Sequence, residues 1–529
     1  MDEPAEPSSQ DGDPSTITSS DLPEVITIAP KGDVLLELTF ETSKSTLKAT
    51  RKALPRPRPG QRVPPPPQPL LKARIHLAYR VDLATLKRHS KYFTNLLGDT
   101  RFREARAIES HLADLSLRGG DPGDLDAGRL PRVHITDDDE ATRSAGREDV
   151  FRDMLRVLHG GGVATRPVTL LYVATLAVMA DRFACAAAVS RYLNTGLRFK
   201  WPATPPPRPS GDGDGLVGLG PAAEEVLRQK ILVAWLLDQP VRFQAATREL
   251  VLFGSHRWSA DGADEEGDEG EDVNLDGSGT PADDATASRQ DALWWYLPDE
   301  LEEELHYRRT LILRTLASIL SHFVRLYSSR VRQCHLGYDS SAACDSFQLG
   351  EMVKFLTGKG LLFLVNFSPS SLGVIRDFAA VDVNGIMAAL KKMPAYQIDK
   401  HHTNCGLRTR VLPILEYVQA MLGSNAVPLS LQGWKKDRVS TSWRAPSAED
   451  GSGVRKRREF DTGKASKNRV FSFTRSVASD QRLKYEGAMA ADSMAKQLFL
   501  AEDWDWTPED DSGSGNSLGR EFATTKWLR

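Results

Sequence analysis

Four side chains in the second half of the chain could hold a metal ion: Cys334, Cys344, His402 and Cys405. His402 and Cys405 are separated by two residues, a spacing that lets both side chains face one tetrahedral metal. Cys334 and Cys344 would complete a zinc site of three cysteines and one histidine. The gap between these two cysteines is longer than that in the usual close pair, and this weakens the pattern.

Other interpretations of this Cys/His region stay open. His335 and His401 are alternative ligands. The cysteines could also be small buried hydrophobic residues, with the histidines capping helices. A nucleophilic pair of Cys405 and His402 is a weaker interpretation, because residues at this spacing need a third group to orient them.

Motifs for nucleotide chemistry and hydrolysis are incomplete or absent. Thr357-Gly358-Lys359-Gly360 lacks the upstream glycine spacing and the following Ser or Thr of a phosphate-binding loop. The sequence contains no His-Glu-x-x-His motif. We therefore predict no enzymatic activity and no cofactor other than the candidate zinc ion.

A compact basic cluster, Arg455-Lys456-Arg457-Arg458, stands in the C-terminal part of the chain. Such a cluster can act as a nuclear import signal or contact nucleic acid. Because no zinc-finger or helix-turn-helix pattern accompanies it, we do not expect nucleic acid as a partner.

The composition of this 529-residue chain indicates which cellular compartment to expect. Its four cysteines are too few for a disulfide framework, and the acidic N-terminus lacks the apolar region of a signal peptide. The longest apolar run, Val168 to Ala180, is shorter than the roughly 18 residues that suggest a membrane span. We expect an intracellular protein, cytoplasmic or nuclear, without a membrane partner.

The N-terminal half alternates between strand and helix patterns. Residues 33–40 and 74–81 are typical of strands, and Val133-His134-Ile135 indicates a further short strand. Ser90 is a good N-cap, and Phe93, Leu96 and Leu97 follow it at helical spacing. Apolar helical segments follow Glu148.

This order of elements resembles a BTB (POZ) domain, a protein-interaction module. The resemblance rests on Asp33-Val34, Ser90-x-Tyr92-Phe93, Phe102-x-Glu104, the strand at Val133 and the helices after Glu148. Two departures are Asp82, where BTB sequences often have His, and a first hairpin that is interrupted by an insertion. The resemblance implies self-association and, for some members, adaptor work in cullin-type ubiquitin ligases.

The chain as a whole is predicted to be a BTB-like α+β domain followed by a mostly α-helical domain. The predicted segments are a disordered 1–30, the BTB-like domain at 31–196 with insertions at about 42–72 and 114–132, a linker at 197–221, the helical domain at 222–434 with an acidic loop at about 259–290, and a largely disordered tail at 435–529.

The helical region is also similar to the C-terminal part of filamentous-fungal BTB proteins. The similarity rests on Cys344-Asp345-Ser346-Phe347-Gln348-Leu349-Gly350, on Tyr396-Gln397-Ile398-Asp399, and on the run from Asn404 to Arg410. It implies no reaction.

Together these patterns predict a protein-interaction module that self-associates or acts as an adaptor or scaffold. BTB-like pairing would use residues 33–40 and 82–97, and a homodimer is the expected form. One alternative is a nuclear regulator that uses the basic cluster. A second alternative is an intracellular enzyme or zinc protein with its site in the Cys/His region.

Overall fold

A computed structural model describes residues 23–53, 71–117, 122–205, 218–258, 292–365, 381–403, 405–444, 469–480 and 489–507. The chain divides into a first unit, residues 1–199 with 279–292, and a second unit, residues 200–278 with 293–529. The protein is α+β with mostly helical content. The predicted acidic loop at 259–290 and the basic cluster at 455–458 lie outside the described residues.

A four-stranded sheet forms one layer of the first unit. Its strands are β1 (Glu24–Thr27), β2 (Val34–Glu41), β3 (Arg74–Val81) and β4 (Arg132–Asp137). They lie in the order β1-β3-β2-β4, with β3 antiparallel to β2 and the other two pairs parallel. The central strand β2 is apolar along most of its length because both of its faces are buried.

Helices follow the strands of the first unit. They are α1 (Lys44–Ala53), α2 (Leu83–His89), α3 (Lys91–Gly98), α4 (Arg103–Leu117), α5 (Arg147–Leu158), α6 (Leu170–Arg182) and α7 (Ala186–Thr195). The predicted cap at Ser90 is confirmed, since its Oγ accepts the Phe93 N–H at 3.1 Å. Asp82 caps α2 in the same way and accepts the Thr85 N–H at 2.7 Å.

Aromatic rings fill the core of the first unit. Phe93 is fully buried, and its ring stacks on Phe183 with 5.7 Å between the ring centroids. Phe151 meets Phe183 edge to face at 5.1 Å. The helix pair α2–α3 is therefore anchored to the helices that follow the sheet.

Three parts of the first unit differ from the sequence prediction. β1 lies within residues predicted to be disordered, because it pairs with β3. α1 occupies the start of the 42–72 insertion, where Leu47 is buried and Ser43 donates its hydroxyl to Asp139 at 2.8 Å. The insertion at 114–132 contains the end of α4 and two short 3-10 turns, Pro122–Asp124 and Ala127–Arg129. Residues 54–70 lie outside the described residues.

The second unit is built from helices around one long central helix. The helices are α8 (Pro221–Leu236), α9 (Pro240–Phe253), α10 (Leu301–Ser328), α11 (Ser341–Gly358), α12 (Val383–Lys391), α13 (Leu407–Leu422), α14 (Leu431–Lys436), α15 (Arg438–Thr441), α16 (Arg475–Ser479) and α17 (Met489–Phe499). The helix α10 buries one apolar face, whose members include Leu301, Leu305, Ile312, Leu316, Ile319 and Phe323.

The C-terminal tail differs most from the sequence prediction. Two short strands, β5 (Val470–Ser472) and β6 (Asp503–Asp505), pair in parallel next to α17. Trp506 is buried, and its indole N–H donates to Ser318 Oγ on α10 at 2.9 Å. The buried residues of the tail pack against distant segments and follow no periodic pattern along the chain. The prediction of a largely disordered tail was therefore wrong for these residues.

Replacing Phe93 by alanine should destabilise the first unit by about 3–5 kcal/mol, since the change removes a buried ring that contacts Phe183. The measurement is denaturant unfolding of the full chain. Phe102→Ala is the matched control, because that ring is largely exposed and its loss should change little. Equal effects of both substitutions would remove Phe93 from the core.

Replacing Trp506 by alanine should destabilise the second unit by about 3–5 kcal/mol, because the indole is buried against α10. Thermal unfolding followed by circular dichroism measures the change. Met489→Ala lies in the same tail at an exposed position and serves as the control. An unchanged melting curve for Trp506→Ala would show that the tail adds nothing to this core.

Candidate metal centre

Three separate segments of the second unit supply the Cys/His residues. Cys334 lies in the loop that follows α10, and Cys344 lies in the first turns of α11. His402 and Cys405 lie in the turns just before α13. A site built from residues this far apart in sequence exists only when these elements pack together.

The structure brings three of the four predicted residues into one group, and the fourth, Cys405, lies beside Cys334 but outside that group. The ligand atoms of Cys334, Cys344 and His402 all lie within 4.8 Å of one another. The Sγ atom of Cys405 lies 3.6 Å from that of Cys334. The alternative ligands His335 and His401 are exposed and lie outside this group, and His401 instead stacks on the Tyr338 ring at 4.7 Å.

Hydrogen bonds to α11 fix both loops of the cluster. Asp345 accepts the backbone N–H groups of Gln333 at 2.7 Å and of Cys334 at 3.1 Å. Gln348 donates its amide to Tyr396 O at 2.9 Å and accepts the Leu407 N–H at 3.1 Å. The helix thus holds the loop that carries Cys334 and the segment that carries His402.

A carboxylate orients the histidine. His402 Nδ1 lies 2.8 Å from Asp399 Oδ1, and Asp399 also accepts hydrogen bonds from the Ser340 hydroxyl and the His401 N–H. This leaves Nε2 facing inward, 3.3 Å from Ser341 Oγ. Sequence reasoning missed Asp399, although its spacing of three from His402 would have been the signal.

The local environment shifts the charges of the cluster. Hydrogen bonds from Ser340 and His402 hold the pKa of Asp399 well below its usual range, and the bond to Asp399 raises the pKa of His402. Burial works to raise the pKa of Cys334, but hydrogen bonds from the Leu336 backbone and the Ser341 hydroxyl outweigh it and lower that pKa.

The other two thiols behave in the opposite way. Burial raises the pKa of Cys344, and burial together with the neighbouring Cys334 raises the pKa of Cys405 to about 11. Of the three sulfurs, therefore, only that of Cys334 has a lowered pKa. A bound metal ion would reverse this, because a coordinating thiol is deprotonated outright.

Three of the four residues of the cluster are buried. His402 is 0% exposed, Cys344 1% and Cys334 2%, whereas Cys405 is partly exposed. Reactive cysteines are typically low in pKa and accessible, and structural zinc sites are closed. The geometry therefore suits a structural ion better than a nucleophile, and zinc binding stays a prediction.

No family model, no curated protein and no solved structure matches this chain. Among the described residues, helices long and apolar enough to cross a membrane are absent. The functional hypotheses therefore depend on the fold and on the Cys/His cluster.

Replacing Asp345 by alanine should loosen the loop that carries Cys334, since two backbone N–H groups lose their acceptor. A lost hydrogen bond of this kind costs about 1–3 kcal/mol when the donors stay buried. Faster amide hydrogen exchange at Gln333 and Cys334 is the expected result. Asp339→Ala, an exposed residue of the same loop, is the control; equal protection in both variants would contradict the role of Asp345.

Proposed function

We propose that the protein is an interaction scaffold whose first unit is BTB-like and pairs with a second copy of itself. One observation carries the proposal. The BTB resemblance predicts that the strands at 33–40 and 74–81 form a hairpin despite the insertion between them. These strands are β2 and β3, and they pair antiparallel along their whole length. Strand β4 lies beside β2 on the side opposite β3, and helices follow it in the chain.

The geometry changes which residues can form the pairing surface. Residues 33–40 were expected to contribute directly, but β2 lies in the middle of the sheet with nearly all of its side chains buried. It has no free edge for a partner. The neighbouring segment 82–97 keeps exposed positions on α2 and α3, including Arg88, Lys91 and Asn95.

β1 is the better candidate for the contact. Within the described part of the chain it is one of the two outer strands of the sheet, with β4 at the other edge, and its Val25 side chain is 42% exposed. An edge strand can extend a sheet by pairing with another chain. A two-fold arrangement would bring the two copies of β1 or of α2–α3 together, and each residue of the contact would then be used twice.

An adaptor role in a cullin-type ubiquitin ligase is the narrower form of this proposal. It would use exposed positions of the same first unit. A nuclear regulator would depend on residues 455–458, which lie outside the described residues. An enzyme in the Cys/His region is not favoured, because three of the four side chains are closed to solvent.

Sedimentation velocity of the full chain at micromolar concentration tests the pairing. We expect a dimer for the wild type and a shift toward monomer for Val25→Asp, because a two-fold contact meets the new charge twice. A shift of tenfold in the dissociation constant, about 1.4 kcal/mol, is the expected minimum.

Val241→Asp is the matched control, because Val241 is 76% exposed and lies in the second unit. This variant should stay dimeric. A wild-type chain that is monomeric across the whole concentration range would defeat the proposal. An equal loss of dimer in both variants would contradict a contact that lies specifically in the first unit.

A further inference from the structure

We propose that Cys334, Cys344, His402 and Cys405 bind one zinc ion in a closed tetrahedral site that joins three segments of the second unit. The site would fix the loop after α10 and the turns before α13 to the start of α11. This inference concerns stability and metal content, so it is independent of the pairing proposed for the first unit.

The separation of two sulfurs fits zinc. Two thiolates on a tetrahedral zinc with bonds of about 2.3 Å lie about 3.8 Å apart. Cys334 Sγ and Cys405 Sγ are 3.6 Å apart, close to this value and far from the roughly 2.05 Å of a disulfide. The ligand atoms of Cys344 and His402 lie within 4.8 Å of Cys334 Sγ and of each other, so one ion can reach these three. Cys405 lies outside this group but next to Cys334, and a side-chain adjustment would let it complete the set.

The histidine is already arranged as a zinc ligand. Metal-binding histidines usually donate the N–H of their other ring nitrogen to a carboxylate or carbonyl, which fixes the tautomer. Asp399 accepts at His402 Nδ1, so Nε2 is the nitrogen left for the ion. A histidine that merely caps a helix would not need a carboxylate behind it.

Charge and softness select the class of ion. Thiolate and imidazole ligands in a tetrahedral arrangement favour zinc or an iron–sulfur cluster over the hard cations calcium and magnesium. Three thiolates, one neutral imidazole and Zn²⁺ leave a net charge of about −1. On binding, one N–Zn and three S–Zn bonds form, and the thiol protons pass to the solvent.

A cysteine nucleophile is the main competing interpretation, because Cys334, His402 and Asp399 could form a catalytic triad. Such a triad needs a sulfur that a substrate can reach, and Cys334 is buried. It also gives no role to Cys344 and Cys405, whose sulfurs would crowd the nucleophile. A metal ion uses all four side chains.

The loop that carries Cys334 explains why a metal would be useful. Between α10 and α11 the loop exposes Val331, Leu336 and Tyr338, and it buries little apolar surface of its own. Its described ties to the rest of the unit include the hydrogen bonds to Asp345 and the cluster itself. One ion would therefore add a further tie to a loop that Arg410 also holds through Gln333.

Elemental analysis of the purified full chain is the first test. We expect about one equivalent of zinc, and a lower melting temperature of the second unit after treatment with a strong chelator. Adding cobalt(II) to the metal-free chain should produce sulfur-to-cobalt charge-transfer bands and the intense visible bands of tetrahedral cobalt. This reconstitution of the wild-type chain decides the proposal even where a ligand variant does not fold.

Paired variants assign the ligands. Cys344→Ser, His402→Ala and Cys405→Ser should each lower zinc content or affinity, whereas Cys185→Ser, a buried cysteine of the first unit, and His401→Ala should not. Asp399→Asn tests a positioning residue. It should bind zinc about 10–100-fold more weakly while keeping the tetrahedral cobalt spectrum.

Several results would overturn the site. Metal-free protein whose stability does not change with chelator or added zinc would leave buried thiols as the correct interpretation. Iron together with acid-labile sulfide would replace zinc by a cluster. Zinc bound equally by wild type, Cys344→Ser and His402→Ala would place the ion elsewhere in the chain.

Discussion

The second unit depends on hydrogen bonds from two adjacent arginines that are buried inside it. On α10, Arg308 pairs with Glu304 and donates to the carbonyls of Ala426, Val427, Pro428 and Thr441. Arg309 donates to the carbonyls of Val251, Leu252 and Val381. A buried guanidinium without partners would cost several kcal/mol, so these loops must close on α10. The long helix thereby determines where the segments around residues 251–252, 381, 426–428 and 441 lie.

In the first unit, one buried arginine likewise needs hydrogen-bond acceptors from several elements. Arg147 is buried, and its Nε atom donates to Asp137 Oδ2 at 2.8 Å while its Nη2 atom donates to Glu41 O at 2.7 Å. The Nη1 atom of Arg182 also donates a hydrogen bond to Asp137 Oδ1 at 2.8 Å. Strands β2 and β4 are therefore tied to α5 and α6 at one end of the sheet. β1 lies at the opposite edge of the sheet from β4.

Local patterns determined much of this molecule from sequence alone. Strand-like runs at 33–40 and 74–81 located β2 and β3, and a serine followed by apolar residues at helical spacing located α3. The residue types of the cluster and the two-residue spacing of His402 and Cys405 indicated the candidate metal centre. The BTB-like interaction remains a proposal, since similar folds can carry different functions.

Tertiary packing decided the rest. β1 has no pattern of its own and exists because β3 offers an edge to pair with, and the tail is ordered where Phe471, Phe499 and Trp506 enter a core built elsewhere. Asp399 became visible as the partner of His402 only when the turn that joins them was formed. The sequence named the four side chains, but the approach of α11 to the loops on either side of it brought their ligand atoms together. Contacts between distant residues leave no periodic trace, so only the folded chain could reveal them.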